Sequence, residues 1–220
     1  MTRLTFDNNR KQATRDRTLA VVQRCPDLYQ LGHLTRDWME LDAYGSKTGK
    51  MLAPYLDPAR FIGVSREKAV VEHNRQIFEA SPHCVFLEAE MGDLVMDRAT
   101  FRNVGVLVFD GFNTVSNTEL GHIIEPLVRF CRFRTSLNGS ALLVLNLVIR
   151  PNPILSTEAG IEQYHRHLVR FEVPTPADGD VETYRGDDSH FSMYLHRILF
   201  TKTPQRVEGA TTCEVLTCSY

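Results

Sequence analysis

Asp37-Trp38-Met39-Glu40-Leu41-Asp42-Ala43-Tyr44-Gly45-Ser46-Lys47-Thr48-Gly49-Lys50 decides how the chain is read: an apolar segment, an acid at Asp42, small residues at Gly45, Ser46 and Gly49, then a helix-like run through Leu56. The order is strand, glycine turn, helix. Glycine removes the side chain that would keep a ligand away from backbone N–H groups and tolerates positive φ, so such a junction suits a nucleotide-type ligand. Phe61 to Val64 reads as a second buried strand, at the separation a right-handed βαβ crossover needs. Neither the dinucleotide spacing G-x-G-x-x-G nor the phosphate-loop spacing is present: Gly45 and Gly49 stand one residue too close for the latter, although Lys50 follows. Glycine turns after strands are also ordinary in α/β proteins, so the rest of the chain has to support the loop.

The alternation continues. A helix over Arg66 to Ala80 stops at Ser81-Pro82, Cys84 to Ala89 is a third strand, and Val104 to Phe109 a fourth that stops at Asp110-Gly111-Phe112-Asn113. Thr118 to Arg134 carries Leu120, Ile123, Ile124, Leu127, Val128 and Cys131 on one face behind an Asn117/Thr118 cap. Gly139 to Ile149 is the most hydrophobic stretch and a fifth strand, followed by a helix over Ser156 to Arg170. Alternation of this kind gives a mostly parallel sheet with helices on both faces. The rhythm then changes: Val181 to Arg185, a polar Gly186 to Ser189 turn and His190 to Lys202 make an antiparallel β-hairpin, with an edge segment around Cys213 to Leu216. Ahead of all this, residues 1–34 read as a basic arm (Arg3, Arg10, Lys11, Arg15, Arg17) leading into one or two short helices that supply Leu19, Val21, Val22, Leu28, Leu31 and Leu34; residues 35–220 form the main domain.

Composition bounds the function. Among 220 residues, 43% are hydrophobic and 24% charged, as in ordinary folded domains, and a formal net charge of -2 offers no global basic field for nucleic acid. The five cysteines are odd in number and scattered, without metal-ligand spacing, which reads as reduced thiols in a cytoplasmic protein. The longest apolar run, Ala141 to Ile149, is about half a membrane span. His165 and His167 stand two apart on a helix and face different directions, so no metal site is expected there. Asp187, Asp188 and His190 read as a solvated turn rather than a catalytic pair. Arg129, Arg132 and Arg134, interleaved with Phe130 and Phe133, read as a helix end with its rings in the core rather than a nucleic-acid patch.

Alternating α/β units closed by a C-terminal hairpin resemble the class I S-adenosylmethionine-dependent methyltransferases over residues 35–202, and the chain is identified as a divergent member. The resemblance implies that the loop after the first strand, with Asp42, Tyr44, Gly45, Ser46 and Gly49, cradles the methionine moiety of S-adenosylmethionine. It implies that Ser65, standing where an acid is usual, and Glu67 meet the ribose, and that Gly92, Asp93 and Leu94 meet the adenine. Asp110 and Asn113 then face the transferred methyl group and are the candidate catalytic residues, Asp110 also touching the cofactor. The expected function is methyl transfer to an acceptor that is a small molecule or a protein rather than nucleic acid. Ser65 and the altered glycine loop leave a second reading open, a non-catalytic binding or assembly module on the same fold.

Overall fold

A computed structural model describes residues 9–97, 99–114, 120–149, 157–185 and 192–215. The Asp187, Asp188 and His190 turn lies outside them, as do the Asn117/Thr118 cap and Cys218. The sheet strands are β1 (Asp37–Leu41), β2 (Phe61–Ser65), β3 (Cys84–Glu88), β4 (Val104–Thr114), β5 (Ser140–Ile149), β6 (Val181–Arg185), β7 (Ser192–Thr201) and β8 (Thr211–Glu214). The helices are α1 (Asn9–Gln23), α2 (Lys47–Leu52), α3 (Lys68–Ile77), α4 (Met91–Met96), α5 (Leu120–Asn138) and α6 (Thr157–Arg170).

Strand order is β3-β2-β1-β4-β5-β7, parallel through β5, with β7 antiparallel to β5 along the full length of both. The expected hairpin is present, β6 pairing antiparallel with β7 from Val181 opposite His196 to Arg185 opposite Ser192. The second half of that same edge of β7 is taken by β8, in parallel, from Thr211 opposite Ile198 to Glu214 opposite Thr201. Where β6 and β8 begin, a buried polar chain joins them to α6. The Asp180 carboxylate accepts from the Thr211 hydroxyl (3.0 Å), so that hydroxyl accepts from His196 Nε2 (2.7 Å), leaving His196 Nδ1 to accept from Tyr164 (2.8 Å). Burial holds His196 down at about 3, so the imidazole is neutral.

Two apolar layers follow from strand alternation. Leu143, Leu145 and Leu147 of β5 pack with α4, α5 and α6, while Leu142 and Val144 pack with Leu19 and Val22 of α1, Leu52 of α2 and Val71 of α3. The front of the chain differs from expectation. One helix is followed by a two-residue ladder, Tyr29–Gln30 with His33–Leu34, and its turn residues Leu31 and Gly32 both have positive φ, which leaves Leu31 97% exposed rather than packed. β4 also runs on past Asp110 to Thr114, because pairing with β5 resumes at Thr114 opposite Val148 after a register shift; the Asp-Gly pair makes an irregularity instead of a strand end.

The apolar side chains α1 gives to the core come from its last turns, so its earlier turns are attached by polar contacts. Arg197 on β7, 1% exposed, donates through Nε to Thr18 Oγ1 (3.0 Å) and through Nη2 to the Thr14 carbonyl (3.3 Å), and pairs through Nη1 with Glu182 Oε1 (2.6 Å). Glu182 also pairs with Arg17 of α1 at 3.0 Å. Arg197→Ala would leave Glu182 without its buried partner and should cost about 3 kcal/mol. Urea denaturation checks this, and a Glu182→Ala second substitution should add far less than its own single cost.

Candidate functional site

Parallel strands bring their C-terminal ends to one edge, where the loops after β1, β2 and β3 lie beside the outer part of β4. After β1 the ladder continues by one bond, Asp42 N–H to Val64 C=O (2.8 Å), and the chain then turns through Gly45 (φ 80) and Ser46 (φ 34) into α2. The buried Asn74 of α3 holds this turn, accepting from Gly45 N–H (2.8 Å) and donating to Asp42 Oδ2 (3.1 Å) and Ala43 C=O (2.8 Å). The Asp42 carboxylate lies over β2 at Gly63, where a Cβ would stand 2.7 Å from Oδ2. Tyr44 sets its ring edge on His73. Gly49 faces inward, since a Cβ there would stand 2.6 Å from Ser46 Oγ and 3.2 Å from the Phe61 ring, and Ser46 is itself 1% exposed. Gly45 instead borders open space, with only Lys50 Nζ at 3.9 Å from its Cβ position.

At the end of β2 the Ser65 hydroxyl accepts from Glu67 N–H (3.2 Å), and Glu67 takes the N-cap position of α3 with its side chain exposed. Arg66, between them, pairs with Glu90 in the loop after β3, which ties the two loops together. Gly92 and Asp93 are exposed in the first turn of α4, Leu94 is half-buried, and nothing lies within 4 Å of the Cβ position of Gly92. Asp110 Oδ1 accepts from Asn146 Nδ2 on β5 (2.8 Å), and Oδ2 stands 3.7 Å from Lys11 Nζ on α1. The backbone of Asn113 belongs to β4; its side chain lies outside the described residues.

No protein-family model matches the chain, and neither does any curated protein. Solved structures do resemble it. The N-methyltransferase NodS of Bradyrhizobium japonicum WM9 in complex with S-adenosyl-l-homocysteine has a TM-score of 0.55 at 13% identity, covering 89% of each chain. A precorrin-6y C5,15-methyltransferase of Geobacter metallireducens GS-15 has 0.56 at 12%, covering 90% of this chain and 93% of that one. The M. jannaschii TYW2 structure in complex with AdoMet has 0.51 at 8%, covering 87% and 76%.

The fold is that of the class I methyltransferases. On it, the residues singled out in the sequence fall into three groups. Tyr44, Gly45, Ser65, Glu67, Gly92, Asp93 and Asp110 stand at the loop edge with exposed or half-buried surface, whereas Ser46 and Gly49 are packed inside the loop, and Asp42 is held by its own loop and by α3. Residues the sequence did not single out complete the edge. Glu40, two residues along β1 from Trp38 and on the same face, accepts from the Trp38 indole (3.0 Å) and the Thr48 hydroxyl (2.9 Å). With Asp110, Asn146 and Trp38 it floors a small recess of about 50 Å³ whose wall is α1, through Lys11, Thr14, Arg15 and Thr18. The signal available in sequence was an acid in the interior of an apolar strand.

Burial, and then the neighbouring Asp42 carboxylate, push Glu40 up to about 7, against the pull of the Trp38 and Thr48 hydrogen bonds; Asp110 adds to the rise. Asp42 is pushed up to about 6 by burial, while Ser46, the Ala43 N–H, Asn74 and Arg15 pull it down. Both carboxyls bind protons more tightly folded than unfolded. Stability therefore falls as pH rises from the ordinary carboxylate range through the folded values, by at most about 1.4 kcal/mol per pH unit for each group, and is flat above them. Urea midpoints taken from about pH 5 to 8 should drift down in the wild type, and Glu40→Gln should remove the part of that drift nearest neutrality. An unchanged drift would place the titration elsewhere.

Proposed function

We propose that the chain transfers a methyl group from S-adenosylmethionine to an acceptor whose nucleophilic atom carries a proton. The observation that supports this best is the loop edge itself: on a methyltransferase fold, Gly45 and Gly92 border open space and the carboxylates of Glu67 and Asp93 are exposed beside it. These residues fit the group. The β1 loop would hold the methionine part on the surface that Tyr44 and Gly45 present, with Asp42, Ser46 and Gly49 shaping the turn from within. Ser65 and Glu67 would hold the ribose, and Asp93 would accept from the adenine amine with Gly92 and Leu94 beside it. The candidate site residues all belong to the domain of residues 35–220, and α1 of the N-terminal segment walls the recess beside them.

Bound S-adenosylmethionine supplies a methyl group activated by its sulfonium charge. The chain's own work is to position the acceptor and take its proton. Asp110 and Asn113 are the residues assigned to the acceptor by the resemblance. Asp110 is kept in place by Asn146 and Lys11, and Glu40, poised near neutrality on the same recess floor, takes the proton directly or through Asp110. A small molecule or a protein suits this edge better than nucleic acid, because the arginine-phenylalanine cluster of α5 is spent internally. Arg134 is 1% exposed and lies over the Phe130 and Phe133 rings, Arg132 pairs with Glu172 and Arg129 with Glu125. Among the described residues no helix is long and apolar enough to cross a membrane, and Cys25, Cys84, Cys131 and Cys213 are free thiols, which supports a cytoplasmic setting.

Calorimetric titration with S-adenosylmethionine and S-adenosylhomocysteine tests the reading. Asp93→Ala should weaken binding by about 1.5 to 3 kcal/mol, and Ser65→Asp should tighten it by about 1 kcal/mol by restoring a second acceptor for the ribose hydroxyls. Failure of both wild type and Ser65→Asp to bind at about millimolar ligand sinks methyl transfer and leaves the binding or assembly module.

A further inference from the structure

We propose that Asn74 is the positioning residue of the β1 loop, and that its amide determines which side of the loop a bound ligand meets. The inference deepens the function proposed above and rests on it for the identity of the ligand. Asn74 is 0% exposed at the middle of α3, 32 residues along the chain from Asp42 and 29 from Gly45. A carboxamide has one acceptor oxygen and two N–H donors. All three are used: Oδ1 on Gly45 N–H, and Nδ2 on Asp42 Oδ2 and Ala43 C=O. A flipped amide would set N–H against N–H at Gly45 and oxygen against oxygen at Asp42, so only one orientation is compatible with the loop.

The surroundings fix the amide as firmly as the amide fixes the loop. Val70 and Val71 bury α3 against the sheet, and Arg75 on the same helix donates to the Phe86 carbonyl of β3 at 2.7 and 3.1 Å, which sets the helix along the strand direction. Gly63 admits the Asp42 carboxylate over β2; a methyl there would collide with it. The turn is therefore shaped by contacts within the protein, and a ligand need not supply the ordering of two consecutive positive-φ residues. The shape has a further consequence. Gly45 N–H, the Ala43 carbonyl and Asp42 Oδ2 are engaged on the α3 side of the turn, so a ligand is received on the opposite side, across the open Cα face of Gly45. Asp42 then acts on the ligand through the loop it shapes and through its charge on Glu40.

Three variants test this: Asn74→Ala, Asn74→Asp, and the exchange Asp42→Asn with Asn74→Asp, which keeps an acceptor for Gly45 N–H and restores a donor between the two side chains while the bond to the Ala43 carbonyl stays lost. In ligand-free protein, amide hydrogen exchange at Gly45 should accelerate by about a hundredfold in Asn74→Ala while the amides of β4 and β5 keep their protection. Titration with S-adenosylhomocysteine should show about tenfold or more weaker binding in Asn74→Ala, a larger loss in Asn74→Asp, and a recovery of about tenfold from Asn74→Asp in the exchange variant, short of wild type because the Ala43 carbonyl stays unpaired. Recovery by exchange is not expected of a residue that only adds general stability. Where Asn74→Ala fails to fold, Asn74→Asp compared with the exchange variant carries the same two measurements, and equal affinity in those two overturns the positioning role. Unaltered Gly45 exchange in Asn74→Ala, or accelerated exchange with unaltered affinity, overturns the positioning role. A wild type that does not bind S-adenosylhomocysteine overturns the ligand half together with the proposed function, and Gly45 exchange still decides whether Asn74 holds the loop.

Discussion

Every residue of β5 from Ser140 to Ile149 is buried, and a strand enclosed along its whole length must be covered on both faces. One cover comes from α5 and α6, which bring Leu127, Val128, Cys131, Tyr164 and Leu168. The other starts with α1, which brings Leu19, Val21 and Val22 from its last turns. The rest of that helix has to be attached by other means, and the attachment comes from β7, the strand paired with β5 over all its length: Arg197 reaches Thr14 and Thr18. A helix attached by its polar face leaves a polar gap above the sheet. The recess over Glu40, Asp110 and Asn146 is thus a consequence of how β5 is covered.

The two ends of β1 show what such a gap does to a carboxyl group. At its start Asp37 is 1% exposed and saturated, accepting from Arg60 N–H (2.9 Å), from the Arg60 guanidinium (2.7 and 3.2 Å) and from Asn103 (3.1 Å). A guanidinium beside a buried carboxylate answers its charge, and the pair serves the fold. At the other end the hydrogen bonds to Glu40 among the described residues come from neutral donors, Trp38 and Thr48, and two further acids, Asp42 and Asp110, push its proton affinity up. Charge that is desolvated and answered by neutral dipoles and like charges moves the proton equilibrium toward neutrality, which is the condition useful for proton transfer.

The succession of strands and helices along the chain, the helix faces and the closing hairpin were legible in the sequence because each follows from local periodicity and from turn residues; the order of strands across the sheet was not. The short parallel strand at Thr211–Glu214 was legible as an edge segment, though not its place beside β6 on one edge of β7. What escaped the sequence is what crosses between elements. Asp110-Gly111 has the composition of a strand end, yet Asn146 on the adjacent strand holds Asp110 in line and pairing resumes beyond it. Asn74 sits among ordinary helix-surface residues, and nothing local distinguishes it from a solvated asparagine; only the packing of α3 beneath the β1 loop gives its amide three partners. The basic residues of α1 read in the sequence simply as an arm for the same reason, since Glu182 and Asp110, which pair with Arg17 and Lys11, are far along the chain.

Ser65 gains a different meaning once its contacts are known. An acid at the end of β2 would have to share the edge with Asp42 and Glu40, both already pushed toward protonation by burial, with Asp42 adding to the rise at Glu40. Serine adds no charge there. Its hydroxyl accepts from Glu67 N–H, which turns the chain into α3 and sets the Glu67 carboxylate at the N-cap, where the helix dipole favours a negative charge. The hydroxyl proton of Ser65 remains able to donate and the Glu67 carboxylate to accept, so donor and acceptor stand two residues apart where a single carboxylate would offer acceptors alone. On the proposed function, the acid that the resemblance places at the strand end would be supplied two residues on, at a position where the helix dipole stabilises its charge.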